Sequence, residues 1–406
     1  VTADLFSLSA AAGAVLVPQL RRLPSFALMK KDERSLWSDV AYATRWASEA
    51  YVWAGQPRKS ILAALQGAAL AESLGDEGLQ SYFQAVFSYL AGLVPLPQLS
   101  QRFLARGSRM VQDLSSARAE LDFRRVASAR HMNAANWELA RSQQDAVIAL
   151  SRQIGDEYSL LFALSQRMVS AFRQDQERVF ESLRAELSER ASRSQSSQFA
   201  RVYPMHQGLK ALRRGDVELA RQRLAEAEGH LQKSPNLLGR IQLGGFAALC
   251  LLQEGKYHSA LLRARDTLAL VAAAQFSNEV LGEGIAAIVE VYLGLWEAGS
   301  EFERPSLLVP LRQALSALRR CARIFPSGAP RALLWHGRHA WNHGASRLAQ
   351  ELAKASQRKA ARLGMPFDEA LANKWLARFV AAPPAAASGL GGEIRGILRL
   401  LTRGRK

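Results

Sequence analysis

The sequence predicts an all-α fold, a tetratricopeptide-like α-solenoid of about eight helical hairpins wound into a right-handed superhelix. One observation is a repeat of 40 residues, marked by turn-like breaks, with a second set of breaks midway. Another is that the stretches between breaks carry apolar residues at helical spacing, and none alternates as a half-buried strand does. The two sets are Gly55, Pro95, Ala135, Asp175, Gly215 and Gly255, and Gly75, Ser115, Gly155, Gln195, Pro235 and Gln275.

The first hairpin is predicted over 33–75, where Pro57 suits the first turn of the second helix. Gly75 follows that helix at a position that favours a left-handed cap residue. Later breaks near Gly299 and Gly344 stand 44 and 45 residues beyond their predecessors, which indicates loop insertions. The remaining elements are hairpins over 78–114, 117–154, 157–191, 198–232, 238–273 and 331–363, and a closing helix over 367–380.

Three domains are predicted: an N-terminal apolar helical segment over 1–32, the repeat domain over 33–381, and a linker with a basic helix over 382–406. The apolar stretch 5–20 has no basic region before it and contains Pro18. It therefore predicts neither a signal peptide nor a transmembrane helix, and we expect it to pack on a neighbouring domain. Because the sequence begins with Val on an apolar segment, a fragment of a longer protein is one interpretation. The alternatives are a stand-alone protein and the tail of some other enzyme.

Positive charge is concentrated near the C-terminus. The chain has a net charge of +17, and residues 331–406 contain 14 Lys and Arg against 4 Asp and Glu. This excess could meet phosphate or an anionic membrane, although 43 Arg against 10 Lys also fits a generally arginine-rich composition. The two cysteines, Cys250 and Cys321, are too few for a disulfide framework and predict a cytoplasmic protein.

The last residues predict a short basic amphipathic helix that docks weakly on an anionic surface, which would make the protein membrane-peripheral. Ile394, Ile397, Leu398 and Leu401 share one face of that helix. The alternatives are that the segment folds back on the last repeat or continues into a further domain. Its basic residues are Arg395, Arg399, Arg403, Arg405 and Lys406.

No motif for catalysis or cofactor binding stands out, so the sequence predicts neither an enzyme nor a cofactor. The pair Gly255–Lys256 is not a phosphate-binding loop, because Cys250 occupies the position of the required upstream glycine. The segment Gly282–Glu283–Gly284 matches half of a dinucleotide-binding fingerprint but lies inside a helical pattern with no preceding strand.

One histidine cluster is compatible with a metal site. His336, His339 and His343 are three and four residues apart, which places all three imidazoles on one helix face. Imidazoles so placed can bind zinc, copper or nickel, but Glu351 is the nearest downstream acid. The sequence favours the alternative, which is a polar stripe near the solvated end of the solenoid.

The hairpins share a small residue at the turn followed by an Ala-rich second helix, as in 215–220 and 255–260. Together with the segments 65–75, 92–96 and 361–370, this pattern resembles the C-terminal tetratricopeptide-like region of large bacterial signalling proteins. In that family, a nucleotide cyclase or Ser/Thr kinase is joined to an AAA-type ATPase and then to a helical tail. The resemblance implies a regulatory role and a covalently linked upstream ATPase, cyclase or kinase domain.

We therefore predict a non-catalytic protein–protein interaction or regulatory scaffold, whose first helices present side chains to a protein or peptide partner. The alternatives are a membrane-peripheral adaptor, the helical superhelix of a cell-wall lytic enzyme, and, less favoured for want of a recognition motif, a nucleic-acid binder. An aromatic cluster in the first two repeats is expected to be mainly core, and Trp53, just before a turn, is the member most open to exposure. The predicted partner-binding residues are Trp53, Arg45, Arg125, Arg130, Asn133, Gln166, Arg167, His206 and Gln242.

Overall fold

The computed structural model describes residues 31–94, 96–233, 236–276, 278–300 and 303–381, and these residues form α-helices, one short 3-10 turn and no β-strand. The helices are α1 (Lys31–Trp53), α2 (Pro57–Leu74), α3 (Glu77–Gly92), α4 (Pro97–Leu114), α5 (Ala117–Asn133), α6 (Trp137–Ile154), α7 (Glu157–Arg173), α8 (Glu177–Arg193), α9 (Ser197–Ala200), α10 (Val202–Arg214), α11 (Val217–Lys233), α12 (Leu237–Gln253), α13 (Tyr257–Ala273), α14 (Leu281–Ala298), α15 (Arg304–Ile324), α16 (Ala329–Asn342), α17 (Ser346–Arg362) and α18 (Pro366–Ala381).

Successive helices pack in pairs, which confirms the predicted helical-repeat solenoid of about eight hairpins. The extra length that the sequence assigns to loop insertions lies partly in helix α15 of the seventh hairpin, which runs for 21 residues, and the 3-10 turn Pro326–Gly328 follows it. The hairpins are α1–α2, α3–α4, α5–α6, α7–α8, α10–α11 preceded by the short α9, α12–α13, α14–α15 and α16–α17, after which α18 closes the described region.

A left-handed backbone conformation recurs every 20 residues and underlies the sequence repeat. Wherever the structure describes a predicted break from Gly55 to Gly255, that residue has a positive φ angle. Glycine reaches this left-handed region without steric cost, whereas a side chain makes it unfavourable. Four of these positions are nevertheless occupied by Ser115, Ala135, Asp175 and Gln195, with φ between 48° and 56°.

Hydrogen bonding explains why the non-glycine residues are tolerated there. After α2, the Asp76 N–H donates to the Ala71 carbonyl over 2.9 Å, which satisfies a backbone acceptor at the helix end. The same bond recurs after α5, where the Asn136 N–H donates to the His131 carbonyl over 2.9 Å. The cap therefore needs a left-handed residue at a fixed place, and the repeat length sets where that place falls.

The contacts divide the described residues into two compact units. We call residues up to Arg167, with 236–238 and 274–278, the N-terminal unit, and the rest the C-terminal unit. In the N-terminal unit, Leu121, Val147 and Ala163 from α5, α6 and α7 form part of the core. In the C-terminal unit, Leu333 packs against Leu352 and Ala355 of the neighbouring α17.

Glycines in the C-terminal unit allow helices of successive hairpins to touch through their backbones. A Cβ atom added to Gly284 of α14 would lie 2.7 Å from the Gln242 Cα and the Ile241 carbonyl oxygen of α12. A Cβ on Gly245 would lie 2.3 Å from the Gly284 carbonyl oxygen. The glycines of the partial dinucleotide fingerprint thus lie in helix α14, and Gly284 serves helix packing.

Gly284→Ala is therefore expected to destabilise the protein. Backbone overlap costs about 3 kcal/mol, which outweighs the roughly 1 kcal/mol that alanine gains over glycine in a helix. The matched control is Gly229→Ala on the exposed side of α11, where an added Cβ meets nothing within 4 Å. Urea unfolding should show opposite signs for the two variants, and stabilisation of both would contradict this packing.

Candidate functional site

Four first helices of successive hairpins, α1, α3, α5 and α7, line a cavity of about 60 Å³ in the N-terminal unit. We call it the anchor cavity. Its walls are mainly aromatic and aliphatic, and Glu49, Arg125, Gln166 and Asn278 contribute polar groups. The lining residues are Ser48, Glu49, Val52, Trp53, Tyr82, Val86, Tyr89, Leu90, Arg125, Val126, Ala129, Phe162, Gln166 and Asn278.

Aromatic pairs join α1 to α7 at two levels. Trp53 and Phe162 meet edge to face with ring centroids 6.2 Å apart, at the cavity itself. Seven residues earlier on α1, Trp46 meets Tyr158 in the same way at 5.5 Å. Trp46 is 42% exposed, which is unusual for so large an apolar side chain and makes it available to a partner.

A buried ion pair holds α1 against α5 and α7. Arg125 Nη1 donates to Glu49 Oε1 over 2.5 Å, and the Tyr158 hydroxyl donates to the same oxygen over 2.8 Å. Burial raises the pKa of Glu49, but the Arg125 cation more than reverses this, so the pKa lies below its ordinary value and the carboxylate is charged at neutral pH. Burial also raises the pKa of Tyr158, which keeps its hydroxyl a donor.

A second set of ion pairs lies beside the first. Arg45 of α1 pairs with Asp122 of α5, and Arg118 bridges Asp122 and Asp156 over 3.0 and 2.9 Å. The Arg45 guanidinium also lies 4.9 Å from the Tyr82 ring centroid, a cation–π distance. Arg45 helps to fix the aromatic wall in place, because it contacts both the Asp122 carboxylate and the Tyr82 ring.

The structure brings four of the predicted partner-binding residues to this site. Trp53 and Gln166 are half-buried in the cavity lining. Arg45 and Arg125 are only 1% exposed and serve as the cations of the ion pairs; Arg125 lines the cavity, whereas Arg45 lies behind its wall beside Tyr82. Their role as contact residues stays a prediction.

The other predicted residues lie elsewhere. Arg130 Nε donates to Ser100 Oγ over 3.2 Å, and Arg167 lies 3.5 Å from Asp145. Asn133 is half-buried near the end of α5. In the C-terminal unit, His206 and Gln242 are buried, at 3% exposure each.

Sequence reasoning missed Glu49, although it is central to the site. No local pattern marks this residue, because its partners Arg125 and Tyr158 are 76 and 109 positions away. Tyr82 and Tyr89 belong to the aromatic cluster expected to be mainly core, and both are below 9% exposure while still lining the cavity. Helical spacing predicts that these two residues face the core, but it does not predict that the packing around them leaves a cavity.

The histidine cluster on α16 is mostly buried, so it is not the solvated polar stripe considered as the alternative to a metal site. His336 and His339 are 7% and 2% exposed, and the His339 and His343 ring centroids are 4.4 Å apart. Among the described residues, no group of three His, Cys, Asp or Glu side chains could hold a metal ion. His343 instead stacks on Trp296 at 5.3 Å.

The predicted anionic-surface residues Arg395, Arg399, Arg403, Arg405 and Lys406 lie outside the described residues, as does the N-terminal segment 1–30. Their contact with a membrane stays a prediction. In the part of the chain that the structure describes, no helix combines the length and apolar character needed to cross a bilayer.

Comparison with known proteins supports the fold. The sequence matches no protein-family model and no curated protein. Among solved structures, the chain is similar to a Rap protein crystallised in complex with competence and sporulation factor, with a TM-score of 0.55 and 11% sequence identity. The match covers 84% of this chain and 98% of that chain, and at this identity it shows a shared fold alone.

Proposed function

We propose that the protein is an interaction scaffold, which binds a peptide segment of a partner protein along α1, α3, α5 and α7 and takes one apolar side chain into the anchor cavity. The observation that carries this proposal is the cavity itself, whose aromatic walls are Trp53 of α1, Tyr82 and Tyr89 of α3, and Phe162 of α7. The fold similarity supports the same class of function, because the Rap protein was crystallised with another factor bound. Partially buried aromatic pockets are where interfaces concentrate their binding energy.

The size of the cavity favours one side chain over a small-molecule ligand. A bound water needs roughly 10–15 Å³ measured in this way, so about 60 Å³ holds a few waters. That room suits the end of a leucine, methionine or aromatic side chain and leaves none for a nucleotide or sugar. The remainder of a bound peptide would lie outside the cavity, on exposed first-helix surface such as Trp46.

Glu49 adds a preference for a hydrogen-bond donor. Its Oε1 accepts from Arg125 and Tyr158, whereas its Oε2 is buried without a hydrogen-bond partner among the described residues. A buried charged oxygen without a donor is unfavourable. A side chain with an apolar body and an N–H or O–H at its end, such as tyrosine or tryptophan, would supply that donor.

The wider setting of the scaffold is also part of the proposal. The resemblance to tails of cyclase- or kinase-linked ATPases motivates a regulatory region that reports partner binding to a covalently attached domain. A non-catalytic role is consistent with the chemistry of the anchor cavity, where Glu49 and Arg125 neutralise each other instead of activating a nucleophile.

Filling the cavity should abolish peptide binding. Ala129 is a half-buried lining residue of α5, so Ala129→Phe places a ring where the partner side chain would go. Peptides selected from a random display library on the full chain should share an apolar or aromatic anchor. We expect Ala129→Phe to weaken their binding at least tenfold, which corresponds to about 1.4 kcal/mol.

The matched control is Ala105→Phe on the exposed side of α4, which adds the same ring away from the cavity. Fluorescence anisotropy with labelled peptides should give wild-type affinity for this control. Failure of the library to enrich any anchor, or equal affinity for wild type and Ala129→Phe, would contradict the proposed site.

A further inference from the structure

A second cavity, of about 140 Å³, lies in the C-terminal unit and differs in character from the anchor cavity. It forms where the turn between α7 and α8 meets the end of α10 and the first turn of α18. Phenyl rings of Phe172, Phe180 and Phe367 form its apolar walls. Its charged lining consists of Asp175, Glu177, Lys210, Arg213 and Arg214.

Aromatic rings hold two of the three cations of this cavity, Lys210 and Arg213, in place. The Arg213 guanidinium carbon is 4.3 Å from the ring centroid of Phe172 and 4.0 Å from that of Phe367. Lys210 is 8% exposed, and its ammonium lies 4.9 Å from the Phe180 centroid. Cations fixed against rings lose little further conformational entropy when a ligand binds, so the cavity is preorganised for an anion.

The lining carries an excess of one positive charge. Three cations face two carboxylates, and Lys210 and Arg214 share Glu177, the latter pair at 3.6 Å. Arg213 Nη2 donates to Glu283 over 3.2 Å, but Arg173 pairs with the same carboxylate oxygen. Because Glu283 is shared between Arg173 and Arg213, it compensates Arg213 only in part, and burial lowers the pKa of Arg213 to about 10.

We propose that this cavity binds a carboxylate of an acidic peptide, with the carboxylate between Lys210, Arg213 and Arg214 and a neighbouring apolar group against Phe180. An excess of one positive charge suits a monoanion, whereas a phosphate dianion would also face Asp175 and Glu177. The cavity of about 140 Å³ accommodates a carboxylate with a short carbon chain. This site is separate from the anchor cavity and does not depend on it.

Ligand-observed saturation-transfer NMR on the full chain tests the proposal with three short peptides. Acetyl-Phe-Glu-amide carries a side-chain carboxylate, acetyl-Phe-Gly carries a C-terminal carboxylate, and acetyl-Phe-Gln-amide is the neutral match. We expect one of the two carboxylate peptides, or both, to bind at least tenfold more tightly than the neutral peptide. Which of them binds identifies the source of the carboxylate.

Two variants with matched exposure locate the binding. Arg214 has a 64% exposed side chain, so Arg214→Gln should leave the fold intact and weaken carboxylate binding about tenfold. Arg221 of α11 has a 57% exposed side chain and lies outside the cavity lining, so Arg221→Gln should leave carboxylate binding unchanged. Equal binding of acidic and neutral peptides, or equal loss in the two variants, would overturn the proposal.

Discussion

Three buried histidines of the C-terminal unit are expected to contribute about 5 kcal/mol of destabilisation when the pH falls from 7 to 5. His206, His336 and His339 are 3%, 7% and 2% exposed. Burial is the main cause that lowers the pKa of His206 and His336 to about 4 and that of His339 to about 3. The Nε2 atoms of His336 and His339 have no hydrogen-bond partner among the described residues, so protonation would bury an unpaired charge.

The loss of stability at low pH follows from the difference in proton binding between the folded and unfolded chain. An unfolded histidine has a pKa of about 6.5, so between pH 6.5 and 4 the unfolded chain binds protons that the folded chain does not. The stabilising contribution of each neutral histidine is therefore complete above pH 6.5 and is lost as the pH falls, by about 2 kcal/mol per group at pH 5. Burial raises the pKa of Glu279 and Glu290, and these carboxyls act in the opposite direction.

Single variants separate the contribution of the histidines to the pH dependence of stability from that of the carboxyls. His339→Gln removes one buried titrating ring, so the loss of urea-unfolding free energy between pH 7 and pH 5 should shrink by about 2 kcal/mol. His258→Gln, at an exposed position on α13, is the control and should retain the wild-type pH dependence. Identical pH profiles for wild type and His339→Gln would show that His339 is not held neutral by burial.

Removal of the Glu49 carboxylate is expected to destabilise the N-terminal unit by about 3–5 kcal/mol, the usual cost of leaving a buried charge unpaired. In Glu49→Ala, Arg125 keeps a side chain that is 1% exposed but loses its ion pair, and the Tyr158 hydroxyl loses its acceptor. These two contacts join α1 to α5 and α7, so we expect the aromatic pairs between α1 and α7 to loosen as well.

Two further variants distinguish the ion pair from a general effect of mutation. Glu120→Gln breaks the pair with Arg124, whose side chain is 31% exposed, and should cost at most about 1 kcal/mol. The double variant Glu49→Leu/Arg125→Met replaces both charges with apolar groups and should recover most of the loss. A cost for Glu49→Ala no larger than that of Glu120→Gln would show that the ion pair does not hold these helices together.

The hairpins could be predicted from sequence because their signals are local. A left-handed cap residue acts through hydrogen bonds to carbonyls within six residues, so its position repeats wherever the helix length repeats. Ala135 and Gln195 show that the spacing is more informative than the residue type, since neither residue is typical of such a cap. The helix boundaries of 117–154 therefore followed from the period even though glycine is absent at Ala135.

The candidate sites could be predicted only in part. Arg45 and Arg125 were identified as polar residues on first helices, but their burial depends on Asp122 and Glu49, which lie 77 and 76 positions away. Likewise, Phe367 reaches Arg213 from a helix that begins more than 150 residues later. Such contacts arise from the stacking of hairpins, and a helical pattern in one segment does not encode its distant neighbours.

Photocrosslinking tests the anchor cavity most directly. A selected peptide would carry a diazirine group on its anchor side chain, and mass spectrometry of the irradiated complex with the full chain would locate the attachment points. We predict attachment to cavity residues of α1, α3, α5 and α7, such as Val52, Val86, Ala129 and Phe162. Attachment confined to second helices, such as α4 or α6, would contradict binding in the anchor cavity.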